Sequence, residues 1–249
     1  MGAINQSNNA TFPTTDWGVF AQLHNSNPEA KRVALDILAR RYWKPVFIFL
    51  KYTGHDEESA KDLTQAFFAD WIEKDVFSKA EASKGRFRSF MLSCLKRFVS
   101  NQHRAEKAQK RKPAAGLVSL DELMDDTEMP FQPADTMTPE LIFDRAWASQ
   151  VVLLVLRRLE QECRQDGKGS HFDIFTRRII NPILKGDAEP SMADLSQEYA
   201  LSEKQAANQL LTARRAYQRL LRDELRLYAQ SEDEVSAETR DIFSILAHK

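Results

Sequence analysis

From residue 28 onward apolar side chains recur every three to four positions, and glycine, proline and acidic breaks divide the chain into amphipathic segments. Asn27 can cap a first helix, Pro28 suits its first position and Glu29 its positive dipole end. Val33, Leu35, Ile37, Leu38, Tyr42, Val46, Phe47 and Leu50 then mark one face, with Pro45 placed to bend the helix and Gly54 to end it. Asp56 opens a second helix, DEESAKDLTQAFFADWIEKDVF, whose Ala60, Leu63, Phe67, Phe68, Trp71 and Ile72 make a broad apolar face. The third is GRFRSFMLSCLKRFVSNQHRAEKAQKRK at 85–112. Its Phe87, Phe90, Met91, Cys94, Leu95, Phe98 and Val99 predict a stripe packed on the first two helices, leaving Arg88, Lys96, Arg97, Asn101 and Arg104 on the opposite side.

Residues 113–137 mix prolines, acids and scattered apolar residues without a sustained period, the composition of an extended linker. A second helical block starts at Thr138, where Pro139 and Glu140 again suit a helix beginning, and runs to the break at DGKGS. A helix at about 171–184, a short one in SMADLSQEYA and a long one in SEKQAANQLLTARRAYQRLLRDELRLYA complete the pattern. No strand pattern or internal repeat appears, so the expected class is all-α. Two helical domains are expected, at 28–112 and 138–229. They follow a loose N-terminal extension at 1–27, where DWGVFAQL is a candidate short helix, and precede a tail at 230–249 that is either regulatory or disordered.

The short helix, turn and long helix near the C-terminus are the parts of a helix-turn-helix, whose second member enters the DNA major groove. Leu195, Tyr199, Leu201, Ala206 and Leu210 are placed to pack the pair, and the small Ala207 to let the helices stay close. Ser202 sits at the cap of the second helix. Its outward residues include Glu203, Lys204, Gln205, Asn208, Gln209 and Thr212, able to read base edges, with Arg214, Arg215, Arg219 and Arg222 suited to phosphates. A solvated amphipathic helix would show the same pattern, so this feature alone does not decide.

Charge sharpens the picture only through its distribution. The 249 residues carry a formal net charge of −1, yet cations crowd 84–112, with Lys84, Arg86, Arg88, Lys96, Arg97, Arg104, Lys107, Lys110, Arg111 and Lys112 against Glu106 alone. From 113 to 144 there is no Lys or Arg, and Asp121, Glu122, Asp125, Asp126, Glu128, Asp135, Glu140 and Asp144 reverse the sign. The two cysteines, Cys94 and Cys163, form no partner motif and fit a reducing compartment. No run approaches the roughly 20 apolar residues that span a bilayer, so a soluble, cytoplasmic protein is expected. GKGS at 167–170 lacks the upstream glycine of a phosphate loop, the five histidines lack metal-ligand spacing, and the acidic run is poor scaffolding for paired catalytic carboxylates. Binding without catalysis, cofactor or metal is the expectation.

AKDLTQAFFADWI at 60–72, followed by GRFRSFMLSCLKRFVSNQHR at 85–104, resembles the second conserved region of bacterial RNA polymerase sigma factors of the extracytoplasmic-function group. MADLSQEYALSEKQAANQLLTARRAYQRLLRDEL is similar to their fourth region. The resemblance implies docking on the clamp helices of the polymerase β′ subunit through Asp62, Gln65, Phe68 and Asp70. It also implies melting and reading of the minus-ten promoter element by Arg88, Lys96, Arg97, Asn101 and Arg104, with a loop at about 78–86 holding an extruded base. Minus-thirty-five DNA would fall to the helix carrying Ser202, Glu203, Lys204, Gln205, Asn208, Gln209, Thr212, Arg214 and Arg215. The implied partners are core RNA polymerase, including its β flap, promoter DNA and an anti-sigma factor. The chain departs from the family pattern at Lys96, Arg97, Asn101, Ala207 and Gln209, so no promoter sequence carries over.

Two rival functions remain open: a helix-turn-helix regulator that binds duplex DNA without polymerase, and a sigma-like interaction protein. The acidic linker is either a spacer or a nucleic-acid mimic in the RNA-exit path of the polymerase.

Overall fold

The computed structural model describes residues 28–74, 76, 86–105, 137–227, 229 and 231–247. The described residues are helical and contain no strand. The N-terminal extension, the DWGVFAQL segment, the 113–136 stretch and most of the loop before residue 86 lie outside them.

Helix α1 spans Pro28–Tyr52 and continues through Pro45. It stops in a Schellman turn, with the Gly54 amide donating to the Lys51 carbonyl and the His55 amide to that of Leu50. Gly54 takes φ +101°, a conformation that strains a side-chain-bearing residue. Helix α2, Glu57–Glu73, starts where Asp56 accepts the Ser59 amide. Helix α3 covers Phe87–Ala105. Its aromatic stripe meets both predecessors: Phe87 lies edge-on to Tyr42 at 5.4 Å and to Trp71 at 6.3 Å, and Phe98 to Phe67 at 5.4 Å.

The second block begins with α4, Pro139–Gln165, capped by Thr138. The DGKGS segment ends it as another Schellman turn: Gly167, at φ +69°, donates to Arg164 and Lys168 to Cys163. This geometry assigns the glycine-containing stretch to helix termination. Helix α5, Gly169–Phe175, passes through a π-helical turn, Thr176–Ile180, into α6, Asn181–Lys185, so the helix expected at 171–184 has an internal irregularity. Helix α7 is Met192–Glu198 and α8 is Glu203–Leu225. A last helix, α9, spans Glu232–Ala247 and buries Val235, Glu238, Ile242 and Leu246. The tail is therefore ordered over that span, which corrects the disordered alternative.

Helix α1 packs along α4, and α4 is also covered by α8 and α9. The buried side chains on the two sides of the acidic run form one contiguous cluster, from Leu38, Tyr42 and Phe47 through Phe143 and Trp147 to Tyr217, Leu221 and Ile242. The two blocks thus share a core. A separate small cluster of Ile174, Leu195 and Ala206 lies beneath the helix-turn-helix. Periodicity reveals which face of a helix is apolar but not which helix will cover it, which is why a shared core was not expected.

Candidate nucleic-acid interface

Helices α7 and α8 are joined by Tyr199–Leu201. Ser191 and Ser202 each form a capping box, with Asp194 and Gln205 returning the hydrogen bond. The Leu201 amide donates to Ser196 and the Ala200 amide to Gln197, again a Schellman pattern. Here Ala200 occupies the left-handed position at φ +52°, where glycine is the usual residue. Met192, Tyr199, Leu201 and Leu210 close over the small core. Ala206 is the buried small residue between the helices, whereas Ala207 is exposed, so the close approach expected of Ala207 belongs to its neighbour.

The outward side of α8 is narrower than its sequence suggests. Glu203, Lys204, Asn208, Arg214 and Arg215 are exposed. Lys204, Arg214 and Arg215 make no ion pair with a described residue. Ser202 and Gln205 bond to each other as the cap, Thr212 donates back to the Asn208 carbonyl at 2.8 Å, and Gln209 is half-buried. Arg219 reaches Glu162 at 2.6 Å, and Arg222 is exposed.

On α3 the expected DNA-facing set divides. Arg97 and Asn101 are exposed, and Arg97 has no ion pair with a described residue. Lys96 is exposed but meets Glu140 of α4 at 2.6 Å, and this contact pulls the Glu140 carboxyl below its ordinary range. Arg104 lies on α3, but its side chain is outside the described set.

Arg88 does not lie on an exposed side. It is 7% exposed, its guanidinium stacks on the Trp147 ring at 4.2 Å, and it pairs with Asp144 at 3.1 Å, Asp241 at 3.2 Å and Glu238 at 3.5 Å. Arg86 joins the same carboxylates, with Glu238 at 3.2 Å and Asp241 in direct contact. Burial pushes the Glu238 and Asp144 carboxyls up, while Arg88 and Arg86 pull them down. A second buried cluster holds Glu224 of α8 between Arg41 of α1 and Arg158 of α4, the latter at 3.5 Å.

On α2, Asp62 is exposed, Gln65 half-buried, and Asp70 part-exposed beside Lys74. Phe68 is only 1% exposed, packed on Phe67 at 5.5 Å, so it is a core residue and not a docking side chain in this arrangement. The carboxylates Glu238 and Asp241 of α9 are partners of the basic helix that its charge pattern alone does not reveal. The signal was present in Val235, Ile242 and Leu246 at seven- and four-residue spacing within the acidic tail.

Among the described residues no group of His, Cys, Asp and Glu could hold a metal ion, and no helix is long and apolar enough to cross a membrane. Comparison with protein-family models, curated proteins and solved structures finds no match for this chain.

Proposed function

We propose that the chain is a sigma-type transcription initiation factor, of the extracytoplasmic-function kind. It would bind core RNA polymerase, direct it to promoters and assist strand opening without covalent chemistry of its own. The observation that carries the reading is the capped helix-turn-helix whose α8 presents Lys204, Asn208, Arg214 and Arg215 on an outer side with no ion pair to a described residue, in a chain that also contains the basic helix α3. Lysine and arginine on such a side suit phosphates, and asparagine suits adenine edges.

In this scheme 28–112 and 138–229 are the polymerase and minus-ten domain and the minus-thirty-five domain. Asp62, Gln65 and Asp70 contribute to the β′ clamp-helix contact, α8 enters the duplex, and Lys96, Arg97 and Asn101 meet the opened strand. Cations combined with polar side chains suit single-stranded DNA, and basic residues add salt-sensitive attraction. The β flap and an anti-sigma factor are further proposed partners.

The test is transcription from a genomic DNA library by reconstituted core polymerase with and without the protein, read by sequencing transcript starts. A shared two-part motif upstream of protein-dependent starts is expected. Polymerase binding without such starts would favour an interaction protein, and duplex binding without polymerase binding would favour a helix-turn-helix regulator.

A further inference from the structure

Arg86 and Arg88 stand at the beginning of α3, where the helix dipole disfavours cations and no acidic residue occupies the first turn. Their compensation comes from two other elements, Asp144 on α4 and Glu238 with Asp241 on α9. Arg88, sandwiched between these carboxylates and Trp147, is out of reach of a phosphate. Helix α9 is held in place by Val235, Ile242 and Leu246 on the shared core. It follows α8 directly, with Arg226 meeting Glu232 at 2.6 Å across the connection. Carboxylates thus stand where the phosphates of a bound strand would neutralise the same guanidinium groups.

We propose that α9 is an intramolecular clamp: Glu238 and Asp241, with Asp144, hold Arg86 and Arg88 and keep the start of α3 from single-stranded DNA until α9 is released. The inference rests on the nucleic-acid reading of α3 above and adds a control to it. Because α9 continues from α8, displacement of α8 by a partner is transmitted to the clamp through the short connection at 226–231.

The test uses full-length chains carrying Asp241→Lys or Asp241→Asn. Asp241 is 31% exposed, and the neutral near-isostere guards against loss of fold. Hydrogen exchange over 86–101 and anisotropy of a labelled single-stranded oligonucleotide are measured side by side. Asp241→Lys should speed exchange at the start of α3 and raise DNA affinity by about tenfold, with Asp241→Asn moving both in the same direction by less. The slope of log affinity against log salt, read in Asp241→Asn, which adds no cation of its own, should steepen by about 0.7 for each guanidinium that exchanges a carboxylate for a phosphate. Unchanged exchange in both variants, or tight DNA binding by the parent that neither variant alters, overturns the clamp. Faster exchange with no DNA bound by any of the three chains leaves the clamp standing and overturns the nucleic-acid reading beneath it.

Discussion

Replacing Arg88 with alanine should destabilise the protein by about 4 kcal/mol at neutral pH. Removing one member of a buried ion pair typically costs about 3–5 kcal/mol, because the partner charge is left uncompensated. Here Arg86 continues to serve Glu238 and Asp241, and Asp144 is part-exposed, so the lower end applies. The lost stacking on Trp147 adds about 1 kcal/mol. For a chain of this size about 4 kcal/mol corresponds to a fall in Tm of about 8–16 °C. The pH dependence follows from the carboxyls. Burial already pushes Asp144 and Glu238 up, and deleting Arg88 removes the charge that opposes this. A carboxyl whose folded-state pKa exceeds its unfolded value costs stability above the folded pKa, and the cost shrinks as pH falls through it. The deficit of the variant should therefore be full at pH 7.5 and visibly smaller at about pH 5. Urea melts of parent and variant at the two pH values measure it, with exposed Arg97→Ala as a control expected within about 0.5 kcal/mol of the parent. A deficit below about 1 kcal/mol, or one that grows on acidification, would refute the reasoning.

Three further outcomes can be checked directly. Ala200→Gly should raise stability by roughly 0.5–1 kcal/mol in thermal melts, since Ala200 occupies the left-handed position of the α7 turn. Leu195→Ala, in the centre of the small core, should cost about 2–4 kcal/mol, with hydrogen exchange accelerated most in α7 and the start of α8. Arg214→Ala with Arg215→Ala should leave stability within about 0.5 kcal/mol and reduce the salt slope of duplex DNA binding by about 2; an unchanged slope would remove α8 from the interface.

Helix starts were legible because their chemistry is local. Asp56, Thr138, Ser191 and Ser202 each precede a periodic apolar segment, and each accepts a backbone amide in the first turn of its helix. The packed stripe on α3 was legible for the same reason, since Phe87, Met91 and Leu95 recur at four-residue spacing and are buried. Helix α9 was not, because SEDEVSAETRDIF has the charge of a solvated tail and its buried apolar side chains, Val235, Ile242 and Leu246, are widely spaced. The π-helical turn at Thr176–Ile180 carries no local signal that marks it off from ordinary helix.

The polar side of an amphipathic helix has the same sequence pattern whether it faces water or another chain segment's charges, and this ambiguity decided which site residues were legible. Arg41 and Arg88 both belong to helices of the first block, and their carboxylate partners Glu224 and Glu238 lie 183 and 150 residues away. Buried pairs of this kind add little net stability compared with apolar packing, but leaving one partner uncompensated is costly. They link the first block to α8 and α9. The helix-turn-helix end of α8 lies away from Glu224: it has its own small core, and Lys204, Arg214 and Arg215 are exposed and make no ion pair with a described residue. If the proposed function holds, the two DNA-binding elements differ in readiness. In that scheme α8 would meet duplex DNA in this arrangement, whereas the start of α3 would need Arg86 and Arg88 to exchange their carboxylates for phosphates. Under the proposed function and clamp together, duplex engagement would be the first step and strand capture the second, with the ion pairs on α9 setting the threshold between them.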